Sequence, residues 1–274
     1  MWGSCTAELA KLVRRPANWF MLGIAVTLGL TFTYLLPLAG AAGSSSGAPG
    51  TDRGLAATLP SNLVGNAIGG LPVFLGAILL VLGVLAVGTE YGWSTWKTVL
   101  TQGPSRLTVY SGKLFALAVA SLTVVLTSFA TGAITSALIA SSEGEPMNWP
   151  SFGAVLTGIG AGWLIAMTWA ALGAALAIAM RGVALPIGLG LVWLLVVQNL
   201  LFGVAAPLVD WVGTLQLALP GANAGSLAAS LGASGATPGV GELVGASQAT
   251  LVVAGYLVVF AGVGGWLLRR RDVL

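Results

Sequence analysis

The chain has no histidine, one cysteine, and only 11 basic and 8 acidic residues among 274. Without histidine there is no imidazole acid–base chemistry, no His-ligated metal and no Ser-His triad. A single cysteine, Cys5, excludes an internal disulfide and a cysteine-based zinc cage. Charge is scarcest in proportion, at 7% of residues against 57% hydrophobic. A soluble domain carries roughly 25% charged residues, so this chain could not cover a water-facing surface. The 40 glycines point the same way, because glycine is common in membrane helices and lets them pack closely.

Long apolar runs fill the space the charges leave. Six stretches, 17–39, 67–89, 114–140, 153–180, 183–209 and 243–268, each exceed the ~20 residues needed to cross about 30 Å of hydrocarbon. Every charged residue falls outside them. Lys11, Arg14, Arg15, Lys97, Arg106, Lys113, Arg181, Arg269, Arg270 and Arg271 collect on one side, and the other side holds only Arg53. That ten-to-one split predicts cytoplasmic N- and C-termini. The outer loops carry Asp52, Glu143, Glu145, Asp210 and Glu242. Trp19 and Trp266 lie near inner span ends, and Trp149 and Trp211 just beyond outer ones, where indoles prefer to sit. The fold class is therefore an all-α polytopic membrane protein, one domain over 1–274, with six transmembrane helices and an N-terminal interfacial helix.

That interfacial helix is expected over 1–16. Trp2, Cys5, Leu9 and Leu12 form one face, opposite Ser4, Glu8, Lys11 and Arg15, whose basic members would meet lipid phosphates. A solvated tail is the plainer alternative. A signal peptide cleaved near Ala39-Gly40-Ala41 would need an apolar region of 7–15 residues, and this run is far longer. The outer loop 40–66 is rich in Gly, Ser and Pro and reads as irregular. In the outer segment 207–241, Leu208, Trp211, Leu215 and Leu219 recur at helical spacing before Pro220-Gly221, and a second weakly apolar stretch follows at 227–231. Short helices resting on the surface or dipping back into the membrane fit this pattern, as does a plain loop.

Several chemistries can be tested and set aside. A phosphate-binding loop needs Gly-x-x-x-x-Gly-Lys followed by Ser or Thr, and Gly112-Lys113 has Leu107 and Leu114 at the other two positions. Gly232-Ala233-Ser234-Gly235 looks like a protease nucleophile loop, yet there is no histidine to accept the serine proton. Carboxylate relays of proton-coupled carriers are missing from the spans. The hydroxyls there, Thr27, Thr31, Thr33, Tyr34 and the series from Thr123 to Ser136, suit bonds to helix carbonyls. Gln198-Asn199 is different: two adjacent amides in a span are costly unless paired or wetted, which makes them candidates for the substrate path. Gly158-x-x-x-Gly162 has the small-residue spacing of a close helix contact.

The inner segment 90–113 carries the richest pattern. Trp93, Trp96 and Leu100 share one helical face, and Gln102-Gly103-Pro104 ends the helix. Such a helix, bounded by Glu90 and Arg106, could grip a soluble partner or simply rest on lipid. Glu90 leaves the membrane here and needs a cationic partner, with Arg106 and Lys113 as the candidates. An acidic–aromatic pair followed by Thr, Leu, Pro-Ser-Arg and Lys stands at Glu90, Tyr91, Thr95, Leu100, Pro104, Ser105, Arg106 and Lys113. With the ending Arg269-Arg270-Arg271-Asp272-Val273, this resembles the ABC-2 type family of ABC transporter permeases, the membrane subunits of type V ABC exporters. The likeness runs the full length, from amphipathic start through six spans to the outer segment before the last one.

The resemblance implies a permease dimer, homomeric or with a paralogue, above two copies of an ABC ATPase subunit. It implies a coupling helix after Glu90, with Glu90, Tyr91, Trp93, Thr95, Trp96, Leu100, Arg106 and Lys113 as its contact and anchor residues. ATP and magnesium would sit on the partner ATPase, with no catalysis and no cofactor on this chain, and lipid but no nucleic acid as a further partner. The expected function is ATP-driven export of an amphipathic or hydrophobic compound, such as a drug, peptide antibiotic or lipid-like molecule, across the cell membrane. A secondary carrier or channel would show internal repeats with broken helices, and none is evident between the halves. A non-transport membrane scaffold is the third reading.

Overall fold

The computed structural model describes residues 2–43, 51–92 and 105–270. Among them every regular element is helical. In chain order these are α1 (Trp2–Arg14), α2 (Pro16–Ala41), α3 (Leu63–Ile68), α4 (Phe74–Gly92), α5 (Arg106–Glu143), α6 (Phe152–Met180), α7 (Ala184–Ala205), α8 (Asp210–Gln216), α9 (Pro220–Ser230) and α10 (Ala246–Arg270). Six of them, α2, α4, α5, α6, α7 and α10, are long and apolar enough to cross a membrane.

The bundle is organised around α4 and α6. They cross where Gly83 lies on the backbone of Ala170 and Gly173 lies on that of Leu80, so a Cβ at either glycine would strike main chain. Two small residues at one crossing let the helices approach until their backbones touch, which is how membrane helices gain packing energy without a hydrophobic drive. Around this pair lie fully buried Leu79, Leu80, Ile165, Trp169 and Ile178. By contrast α2, α7 and α10 leave most of their length exposed, including Phe20, Leu185 and Leu251. In lipid such side chains cost nothing, so the exposed belt fits a bilayer environment. Several hydroxyls in the spans bond to the preceding helical turn as expected, Thr123 Oγ1 donating to Val119 O at 2.9 Å and Ser128 Oγ to Val124 O at 3.0 Å, but the buried hydroxyls of Tyr34 and Ser121 make no such bond.

Two predicted starts differ: the helix of the third span begins at Arg106, ahead of 114, and the second span begins late. The second span does not start at 67: the chain forms α3, turns through Gly69-Gly70-Leu71-Pro72-Val73, and begins α4 at Phe74. Pro72 lacks an amide hydrogen and clashes with the preceding turn, so a helix cannot run through it undisturbed. The apolar residues before the break are a separate buried helix, with Leu63, Val64 and Ile68 packed inward. Gly158 and Gly162 make room for it: Val64 lies against the first, Ile68 and Leu71 against the second. The outer segment 207–241 is likewise more buried than a surface loop. In α9, Asn223 through Ala229 are all buried. Ser226 Oγ donates to Gly241 O at 2.9 Å and accepts from the Leu243 and Val244 amides. By contrast α8 leaves Trp211 and Leu215 exposed. Short α3 and α9 therefore form an inner plug at one end, with Gly65 against the main chain of Gly232 and Ala233.

The first basic residues meet the other end. Arg106 Nη1 donates to Leu268 O at 3.4 Å, Arg15 Nη1 to Leu85 O at 3.2 Å, and Gly88 lies on Gly182. Loops of one parity thus gather at a basic end, as the charge count predicts, and Arg53 bonds to Thr237 at the opposite end.

Candidate functional site

The site begins with α1, whose charged residues depart from the expectation. Glu8 and Lys11 turn into the bundle and not towards lipid phosphates, while Leu12 of the apolar face also packs against the core. Ser4 packs on Gly112 of α5, Glu8 is buried, Lys11 is half-buried, and Arg15 reaches α4. The reason is electrostatic. Amphipathicity shows that a helix has two faces, but a buried charge elsewhere draws the charged face inward as well, because an unpaired ion in an apolar setting costs several kcal/mol or more.

That buried charge is Lys113. It stands two turns into α5, not in a loop, because Ser105 caps the helix by accepting the Thr108 amide at 3.2 Å. Its side chain is 0% exposed. The ammonium meets Glu90 Oε1 at 2.7 Å and Glu8 Oε2 at 3.0 Å, and donates to Ala86 O at 3.2 Å. Lys11 closes the group from its exposed side, at 2.7 Å from Glu8 Oε1 and 2.9 Å from Glu90 Oε1. Two acids and two bases from three helices thus form a closed, formally neutral quartet. Burial works against the charge of Lys11, but its hydrogen bonds and Coulombic attraction to Glu8 and Glu90 outweigh this, so its pKa lies above the ordinary lysine value. It stays cationic throughout the physiological range.

Of the two partners expected for Glu90, Lys113 is the one that meets it. Arg106 is turned to the C-terminal end of α10 instead, where a guanidinium also suits the partial negative charge of the last carbonyls. Tyr91 is partly buried against the core beside Glu90. Trp93, Thr95, Trp96 and Leu100 lie outside the described residues. Glu8 was missed in the sequence as a site residue. It is the one acid in α1, standing among Lys11, Arg14 and Arg15, and that isolation was the available signal.

Gln198 and Asn199 are drawn into structural bonds in α7. Gln198 is 6% exposed, and its Oε1 accepts the Gly221 amide at 2.7 Å, in the first turn of α9. Asn199 Nδ2 donates to Leu194 O, five residues back, at 2.6 Å. This follows the wide turn that α7 adopts over Val192–Leu201, where the i→i+5 ladder leaves room for a side-chain amide. Gln198 therefore ties α7 to α9, while the bond of Asn199 stays within α7.

The quartet ties α1, the end of α4 and the start of α5 to one another through ion pairs. Residues 5–197 match the model of a family described as ABC-2 family transporter protein. No curated protein matches the chain.

Proposed function

The chain belongs to the ABC-2 transporter family, a membrane-embedded transporter component that associates with an ABC ATPase, and from this we propose that it is the permease subunit of an ATP-driven exporter. In this reading two permeases and two ATPase subunits assemble in the cell membrane, with both permease termini cytoplasmic on the strength of the ten-to-one basic split. The cargo is an amphipathic or hydrophobic compound, since the spans carry no charge to meet an ionic one. Gln198 and Asn199 would lie beside its path, where α7 meets the plug helices.

The observation that carries the proposal is the quartet. An exporter whose energy arrives from a separate ATPase needs a rigid receiver at its cytoplasmic face, and Glu8, Lys11, Glu90 and Lys113 supply one on both flanks of the segment with the family-like motif. The direct test is co-expression with the ATPase from the same source. Purified alone, the chain is expected to neither bind nor hydrolyse ATP; the complex is expected to show vanadate-sensitive hydrolysis and to load a hydrophobic dye into inverted vesicles. Nucleotide binding by the isolated chain, or transport driven by an ion gradient without ATP, would overturn the reading.

The rigid-receiver idea has its own test. Ser4 Cβ lies 3.1 Å from where a Cβ on Gly112 would stand, close enough for a disulfide after a small shift. With Cys5 changed to Ser, a Ser4→Cys, Gly112→Cys pair should therefore cross-link on mild oxidation. If α1 and α5 move as one body, oxidised and reduced complexes will hydrolyse ATP and transport at rates within about twofold, a small change for a constraint on a moving joint. Arrest on oxidation, reversed by reductant, would show that α1 must slide on α5.

A further inference from the structure

At the end opposite the quartet, a cavity of about 180 Å³ lies between α2, the break before α4, and the loop after α9. Its walls are of two kinds. Arg53, Asn66 and Thr237 line one part, and Phe32, Phe74 and Leu28 another. Among the described residues lining it, Arg53 carries the one charge, and it is also the sole basic residue the sequence assigns to this side of the membrane. Its Nη2 donates to Thr237 Oγ1 at 2.9 Å, which fixes the guanidinium at the cavity wall.

The apolar part faces the surface. Phe32 and Phe74 stack with ring centroids 6.3 Å apart, and each is about two-fifths exposed (44% and 41%) on the flank of spans that meet lipid. Leu28, one turn deeper in α2, also lines an open groove that runs down the same helix past Gly23 and Phe20. The cavity is smaller than the roughly 300–1,000 Å³ that encloses a drug-sized compound. A ligand that fits must leave most of itself outside, in the lipid.

From this geometry we infer that the cavity binds an anionic phospholipid of the surrounding leaflet, its phosphate at Arg53 and an acyl chain passing Phe32 and Phe74 into the groove along α2. Arginine suits phosphate because its planar fork offers paired donors and sheds water readily. The hydroxyl of Thr237 and the amide of Asn66 provide polar neighbours for the headgroup. The apolar groove gives the chain a track on which it displaces no water. The site requires only that the chain spans a bilayer, so it stands or falls apart from the transport proposal.

The test uses the full chain in nanodiscs with a phosphatidylglycerol bearing a photoreactive group on its acyl chain, without ATPase or cargo. Adducts are expected on the peptides containing Leu28–Thr33 and Phe74–Leu75, competed by unlabelled phosphatidylglycerol and not by phosphatidylcholine. Arg53→Gln should lower that labelling about tenfold, the scale of one charge-assisted hydrogen bond, and Arg53→Lys should keep a part of it. Gly29→Leu is the control against misfolding. A Cβ at Gly29 meets no atom within 4 Å, and Gly29 lines the cavity, so leucine there is expected to occupy it. It should abolish these adducts and spare lipid bound at the basic end. Labelling elsewhere only, equal competition by phosphatidylcholine, or indifference to both Arg53→Gln and Gly29→Leu would each overturn the assignment.

Discussion

Replacing Lys113 with methionine is expected to lower the melting temperature of the detergent-purified chain by about 10 °C and to free α1 from the bundle. The size follows from charge. Methionine fills much of the same space, so packing changes little, but Glu8 and Glu90, at 9% and 4% side-chain exposure, lose the ammonium that both of them meet. Removing one partner of a buried ion pair costs about 3–5 kcal/mol, a large share of the roughly 5–15 kcal/mol that holds a typical fold together. In a chain of this length each kcal/mol shifts the melting point by about 2–4 °C on the scale of soluble domains. Loosening should be local first. Arg14 is already exposed at the end of α1, so trypsin should cut after it faster in the variant than in the parent. A double variant, Glu8→Gln and Lys113→Met, leaves Glu90 paired with Lys11 and no unbalanced charge, and it should recover most of the loss, because well-packed neutral groups often replace a buried ion pair at little cost. If Lys113→Met melts like the parent and is cut no faster, the quartet does not hold α1.

Why the spans were legible and the quartet only partly so comes down to what each signal measures. Exclusion of charge from hydrocarbon acts on every residue of a run, so the six spans emerged to within a few residues at most ends. It is blind to backbone geometry. Residues 67–73 are as apolar as α4 itself, and only the Gly69-Gly70 and Pro72 pattern marked the break that makes α3 a separate helix. Helical periodicity identified both faces of α1, but that its charged face also meets protein depends on Lys113, about a hundred residues away, and no local pattern carries that. Glu90 announced its need for a cation through its position at a membrane boundary; the choice of Lys113 over Arg106 required the crossing of α4, α5 and α10. The amides at Gln198 and Asn199 stood out by cost, while the bond that uses Gln198, to Gly221, joins segments whose sequences show no sign of each other.

Changing Trp93 and Trp96 together to alanine is expected to cost the complex its ATPase, weakening association by about a hundredfold or more while the permease itself inserts and melts normally. The two indoles stand three residues apart in a segment of twelve, 93–104, whose ends are fixed by α4 and the capped start of α5. In a helix such spacing would put them on one face, and tryptophans at the centre of an interface commonly carry 2 kcal/mol or more each on truncation. Two of them exceed the roughly 2.7 kcal/mol that a hundredfold change represents. The quartet predicts the other half of the outcome. Because Glu90 and Lys113 are held by each other and by α1, the flanks of the segment do not depend on the indoles, so the thermal midpoint of the permease should stay within about 2 °C of the parent, as for a surface change. Co-purification reads the first effect and the melting curve of the isolated chain reads the second. Full-strength ATPase binding by the double variant would remove the coupling role from this face, and a fall in both readouts would show that the tryptophans belong to the fold of the permease and not to its partner.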